Sequence, residues 1–137
     1  MTEFVSDIKT ITYNEEDIFN MLSDLSNLER MKDKIPQEKV KDFTFDKDSC
    51  SFTVSPIGVV KFSIVEREPN KTIKFVADES PVAVNLWIQL KQVAENDTKL
   101  KLTVKADLNP FLKPMLSKPF QDGINKIADV LAAIPYK

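Results

Sequence analysis

The chain has 137 residues, 42% of them apolar, which suffices for one domain over residues 1–137 with a substantial core and no staple of disulfide or metal. With 19 basic and 21 acidic residues the net charge is −2, too balanced for nucleic-acid binding driven by counterion release, so no nucleic-acid partner is expected. Histidine is absent and Cys50 is the single cysteine, which excludes an internal disulfide, a zinc site built on imidazole and thiolate, and an imidazole base; no metal, cofactor or catalytic constellation is expected.

Met1 to Thr10 lacks the apolar run of a signal peptide, and no apolar stretch approaches the roughly 18 residues of a membrane span, so a cytoplasmic location is expected. Glu3–Ile11 reads as a strand, with Phe4, Ser6 and Ile8 on one side and Val5, Asp7 and Lys9 on the other. Asn14 can cap a helix whose first turn carries Glu15, Glu16 and Asp17, carboxylates favoured at the positive end of a helix dipole. Its apolar stripe is Ile18, Phe19, Leu22 and Leu25. Ser26 and Glu29 have capping-box spacing for a second short helix, with Leu28 and Met31 as apolar contacts and Pro36 as its limit.

From Lys39 the period becomes two. Strands are predicted near 39–46, 50–55, 58–67, 71–77, 82–93 and 98–108, joined by short polar turns that can link only antiparallel neighbours. Asn70-Lys71-Thr72 and Asn96-Asp97-Thr98 fit the glycosylation sequon but read as turns between strands. Alternation puts Leu86 and Ile88 inward and Trp87 outward, near Lys105, where a cation–π contact to a lysine is expected. Asn109-Pro110 opens a helical region to about Ile134, irregular around Pro114 and Pro119, then regular with the stripe Phe120, Ile124, Ile127, Leu131 and Ile134. Gln121, Asp122, Asn125, Lys126 and Asp129 fall on its solvent side.

Seven strands at about 4.8 Å spacing make a sheet roughly 34 Å wide if flat, whereas one helix is about 10–12 Å across. The apolar face is covered only if the sheet curls around the helix, and the remaining space is filled by large side chains or left as a cavity. Candidate lining residues are Phe52, Val54, Phe62, Phe75, Leu86, Ile88, Leu102 and Val104 on the strands, with Met115, Phe120 and Ile124 on the helix. Other features carry ordinary readings. The Glu15–Asp17 cluster is a helix start; Asp46-Lys47-Asp48 fails as a calcium loop at Ser51 and Ile57; Cys50 is a structural thiol; Gly58 and Gly123 cannot form a phosphate loop.

The element order, together with Ile18, Phe19, Leu22, Ser23, Asp24, Leu25, Leu28 and Met31, resembles the START-like superfamily, also called Bet v 1-like or polyketide cyclase-like helix-grip proteins. The resemblance implies an α+β fold, in which a curved seven-stranded antiparallel sheet wraps a long C-terminal helix and two short helices follow the first strand. It also implies a cavity for an apolar or amphipathic small molecule, which makes a binding or carrier role the leading expectation. A cyclase or aromatase acting on a polyketide-like or lipid substrate is the alternative, and a protein-interaction module like the chaperone-activating relatives is another. Trp87 has two readings, an indole that covers the outer sheet face and a homodimer contact through that face; the homodimer is a candidate partner beside the small molecule.

Overall fold

A computed structural model describes residues 2–29, 40–54, 58–79 and 83–136. Strands β1 (Thr2–Val5) and β2 (Lys9–Ile11) both pair antiparallel with β8 (Asp97–Ala106), Phe4 opposite Val104 and Ile11 opposite Thr98. The single strand expected over Glu3–Ile11 is therefore broken in two. At the break Ser6 N–H donates to the Leu102 carbonyl and Ser6 Oγ accepts the Leu102 N–H, each at 2.9 Å, so a side chain replaces one backbone rung. The one-residue slip reverses the alternation. Phe4 and Ser6 are buried before it and Ile11 after it, while Ile8, expected inward, is 66% exposed.

Helix α1 (Glu15–Leu22) is capped as its sequence indicates, Asn14 Oδ1 accepting from Asp17 N–H at 2.8 Å. Helix α2 is short, Ser26–Glu29, and its cap is Asp24, not Ser26: Asp24 Oδ1 accepts from Ser26 N–H at 3.1 Å. The Ser26 hydroxyl also donates to Asp24 and holds that carboxyl below the usual aspartate range. Glu29 instead reaches a strand, its carboxylate accepting from Phe45 N–H at 3.1 Å. Met31 and Pro36, on which the longer second helix rested, lie outside the described residues.

The meander follows as β3 (Val40–Phe45), β4 (Ser49–Val54), β5 (Gly58–Glu68), β6 (Thr72–Glu79), β7 (Val84–Ala94) and β8. All pairings are antiparallel, in the order β1-β8-β7-β6-β5-β4-β3 with β2 also on β8, so eight strands occupy seven places. Asn70 (φ 62°) and Asn96 (φ 52°) supply left-handed turn residues between β5 and β6 and between β7 and β8, a conformation asparagine tolerates.

Helix α1 packs on β7 and α2 on β3. Those strands are four places apart, about 19 Å in a flat sheet, whereas α1 is only about 12 Å long, so the sheet must curl to bring them under one pair of short helices. The cover is pinned at several points: Glu15 N–H donates to Gln92 Oε1 at 2.9 Å, Leu25 N–H to the Lys47 carbonyl at 3.0 Å, and Arg67 Nε to the Ser23 carbonyl at 2.9 Å.

Helix α3 (Leu112–Ala133) runs without interruption through Pro119. Asn109 Oδ1 accepts from the Phe111 and Leu112 amides, both at 2.9 Å. The irregular first part expected from two prolines does not occur. Pro114 lies in the first turn, where its missing N–H has no intrahelical partner to lose, and Pro119 forfeits only the bond to Met115, which faces water. Leu116, Ile124, Ala128 and Leu131 are buried, and α3 packs chiefly on β8, β1 and β2. Gln121, Asn125 and Asp129 lie on the solvent side, as expected, and from there also track the broken first strand. Gln121 Nε2 donates to the Val5 carbonyl at 2.9 Å, Asn125 Oδ1 accepts from Asp7 N–H at 3.0 Å, and Asp129 pairs with Lys9. The bulge exposes backbone groups that the sheet does not use; Gln121 and Asn125, four residues apart, answer two of them, and Asp129 one turn further meets the Lys9 ammonium.

Candidate functional site: a phenylalanine wall on the inner sheet face

Because α3 sits over β8, β1 and β2, the inner face of β3, β4 and β5 belongs to the opposite half of the curl. That half is built from phenylalanine. Phe43 and Phe45 share a face of β3 at period two, Phe52 follows on β4 and Phe62 on β5. Phe43 stacks on Phe45 with centroids 5.8 Å apart, Phe43 meets Phe52 at 5.6 Å, and Phe52 meets Phe62 at 5.8 Å. These separations suit offset aromatic pairs, so four rings form one continuous ladder across three strands.

The ladder is graded in exposure. Phe52 and Phe62 are buried, whereas Phe43, Phe45, Cys50 and Ala77 around them are half-buried and pack against the core. Cys50 stands opposite both Phe45 and Phe62, and Ala77 opposite Phe62, so the two small residues flank the same ring. At the far side of the curl Phe120 of α3 stacks on Phe4 at 5.4 Å. Helices α1 and α2 close one end of the grip; the chain after β8 and the start of α3 gather at the other, where Asp107 N–H donates to the Ala83 carbonyl at 2.9 Å.

The candidate lining residues divide between these regions. Phe52, Phe62, Phe75, Leu86, Ile88, Leu102, Val104 and Ile124 are buried members of one core cluster, against which Phe120 packs. Leu102 lies on the strand that α3 covers and is fully buried, and Phe52 and Phe62 belong to the ladder. Met115 does not converge with them: it is 67% exposed, about 100° around the helix from buried Leu116. The side chain of Val54 lies outside the described residues. Sequence reasoning missed Phe43 and Phe45. Their signal was spacing by two with Phe52 across a short turn, obscured by a register shift between Lys41 and Thr44 where Asp42 takes φ 59°.

Electrostatically the wall is inert. Burial pushes the Cys50 thiol up to about 12, so it stays protonated at neutral pH. Burial also raises Tyr136, whose hydroxyl donates to the Leu131 carbonyl and whose ring meets Tyr13 edge-on at 5.9 Å. The buried hydroxyls of Ser6 and Thr98 are engaged by backbone, Thr98 Oγ1 donating to the Tyr13 carbonyl at 2.8 Å. Among the described residues no group of three His, Cys, Asp or Glu side chains is placed to hold a metal ion, and no helix is long and apolar enough to cross a membrane. What the wall offers is apolar area and aromatic faces.

No family model matches the sequence, and neither does any curated protein. Solved structures match over almost the whole chain. A START superfamily protein from Mycobacterium smegmatis is similar at 12% identity, with a TM-score of 0.70 over 95% of this chain and 94% of that one. A point mutant of norcoclaurine synthase from Thalictrum flavum, in complex with a transition-state analogue, is similar at 14% identity and a TM-score of 0.72, covering 96% and 92%. The same synthase in complex with dopamine and hydroxybenzaldehyde is similar at 14% identity and a TM-score of 0.71, covering 96% and 85%. With its antiparallel sheet closed around the C-terminal helix, the chain has the START-like, Bet v 1-like helix-grip fold.

Proposed function

We propose that the protein binds an apolar or amphipathic small molecule against the phenylalanine wall. The observation that carries this reading is the ladder of Phe43, Phe45, Phe52 and Phe62 on the half of the sheet that α3 does not chiefly cover, with a half-buried margin at Cys50 and Ala77. Ring faces favour a ligand that itself carries a flat apolar portion, through offset stacking beyond simple area burial. The norcoclaurine synthase of the same fold, crystallised with two aromatic compounds, supports ring-bearing ligands as the first class to test. Binding without chemistry is the reading favoured, because the thiol on the wall is held protonated and the Glu29 carboxylate beside Phe45 is engaged by a backbone amide.

Native mass spectrometry of gently purified protein tests the proposal. A reproducible adduct in the small-molecule range, lost on mild organic extraction and regained on adding the extracted compound, is the expected result. A protein that is bare as isolated and takes up no apolar or aromatic compound from a panel would refute it.

A further inference from the structure

We propose that the start of α3, at the end of the grip opposite α1 and α2, docks on a lipid bilayer surface that carries anionic headgroups. No residue of the phenylalanine wall takes part, so the two proposals stand or fall independently. Phe111 is 87% exposed and Met115 is 67% exposed. Phe111 already has helical backbone (φ −78°, ψ −39°), so residues 111 and 115, four apart, share one face of the helix with Cβ atoms about 6 Å apart. Lys118, seven residues after Phe111 and so close to two turns on, falls on that same face. Leu116 and Ile124 are buried on the opposite side, and Asn109 Oδ1 accepts the Phe111 and Leu112 amides, which fixes the direction in which the apolar pair projects.

Val59, Val65 and Val93 are also exposed, but each stands singly on a strand and is ordinary surface. The pair on α3 differs in its size and in its charge setting. Between Asp107 and Asp122 the chain carries Lys113 and Lys118 and no carboxylate. Both lysines are exposed, and neither forms an ion pair within the described chain. Asp107 precedes the Asn109 cap, while Asp122 has a partner of its own and lies about 10 Å further along the helix than Met115. The charges nearest in sequence to the apolar pair are therefore positive, on a protein whose net charge is −2.

Three occupants can be compared on this geometry. Phe111 and Met115 together present on the order of 300 Å² of apolar surface, so a twofold contact between two copies would bury roughly 600 Å², within the range of lattice contacts and below the roughly 1,200 Å² of stable interfaces. A peptide docks in a groove, whereas these side chains project from a convex helix end with Pro110 and Pro114 exposed beside them. A bilayer interface needs neither area nor groove. A ring and a thioether chain enter the boundary between headgroups and acyl chains, while the lysines lay their stems along the apolar edge and reach anionic headgroups. No described helix is long and apolar enough to span the bilayer, and two inserted side chains make the docking weak and reversible.

The test is flotation of the full chain with vesicles, one set of phosphatidylcholine alone and one containing about one third phosphatidylserine. An apolar lipid drawn off into the phenylalanine wall would leave the protein unfloated, so flotation reads the docking surface separately. We expect the protein to float with the mixed vesicles, with an apparent affinity roughly tenfold or more above that for phosphatidylcholine and falling as salt is raised. Phe111→Ser/Met115→Ser should weaken binding to the mixed vesicles roughly tenfold or more, and Lys113→Gln/Lys118→Gln should remove the preference for them. All four side chains are exposed, so urea midpoints should match wild type; Phe111→Ser alone, with a smaller loss of binding, reads the surface should the double variant fold poorly. Absence of flotation, equal flotation with both vesicle sets, or indifference to Phe111→Ser would overturn the proposal. So would concentration-dependent sedimentation abolished by Phe111→Ser/Met115→Ser, which would assign the pair to a second copy.

Discussion

At the scale of single residues, the two glycines make opposite demands. Gly58 opens β5 at φ 104° and a Cβ there would meet nothing within 4 Å, so the cost of Gly58→Ala is purely conformational, about 1–3 kcal/mol. Gly123 lies inside α3, also with open space around a Cβ, and Gly123→Ala should stabilise by about 0.5–1 kcal/mol. Urea melts of the two variants check both signs. Cys50 makes a pH prediction. Its folded pKa is raised, so as pH climbs past the range of a free thiol the unfolded chain loses a proton that the folded chain keeps to about 12. Stability is therefore drawn down as pH rises through that window, and Cys50→Ala should flatten the decline. At pH 8 a thiol reagent should react on the order of 10³-fold more slowly with native than with urea-unfolded protein.

At the scale of elements, what was legible in the sequence is what local chemistry decides. Asn14 caps α1 because a side-chain acceptor needs only an amide three residues on, and Asn70 and Asn96 mark turns because their backbone tolerates positive φ. The break between β1 and β2 was hidden, since it depends on Ser6 meeting Leu102, 96 residues away. Gln121, Asn125 and Asp129 do form a wet face, but polarity gives no hint that this face also reaches a bulged strand. Ser6→Ala leaves the buried Leu102 N–H without its acceptor and should cost about 1–3 kcal/mol. Asn109→Ala, which uncaps α3 at the exposed surface, should cost about 1 kcal/mol and speed amide exchange at Phe111 and Leu112. A larger loss for Asn109→Ala than for Ser6→Ala would contradict this ordering.

At the scale of the whole molecule, the curl follows from widths and contacts: the sheet is too broad for one helix, and α1 and α2 bridge strands that a flat sheet would hold apart. The placement of α3 was not legible, because the stripe from Phe120 to Ile134 says which side of the helix is buried and not which strands receive it. Its seat on β8, β1 and β2 separates a helix-packed half from an aromatic half, and the division gives the molecule a surface suited to a ligand. The most direct test fills that surface. Ala77 stands opposite Phe62 at the half-buried margin of the wall, and Ala77→Phe adds a ring where the ligand is placed. A titration with an apolar fluorescent dye, run beside urea melts, is predicted to show saturable binding by wild type, binding weakened tenfold or more in Ala77→Phe, and a stability change below about 1 kcal/mol. No dye binding by wild type, together with a loss of about 1–3 kcal/mol in Ala77→Phe from overpacking, would show a filled core in place of a binding wall.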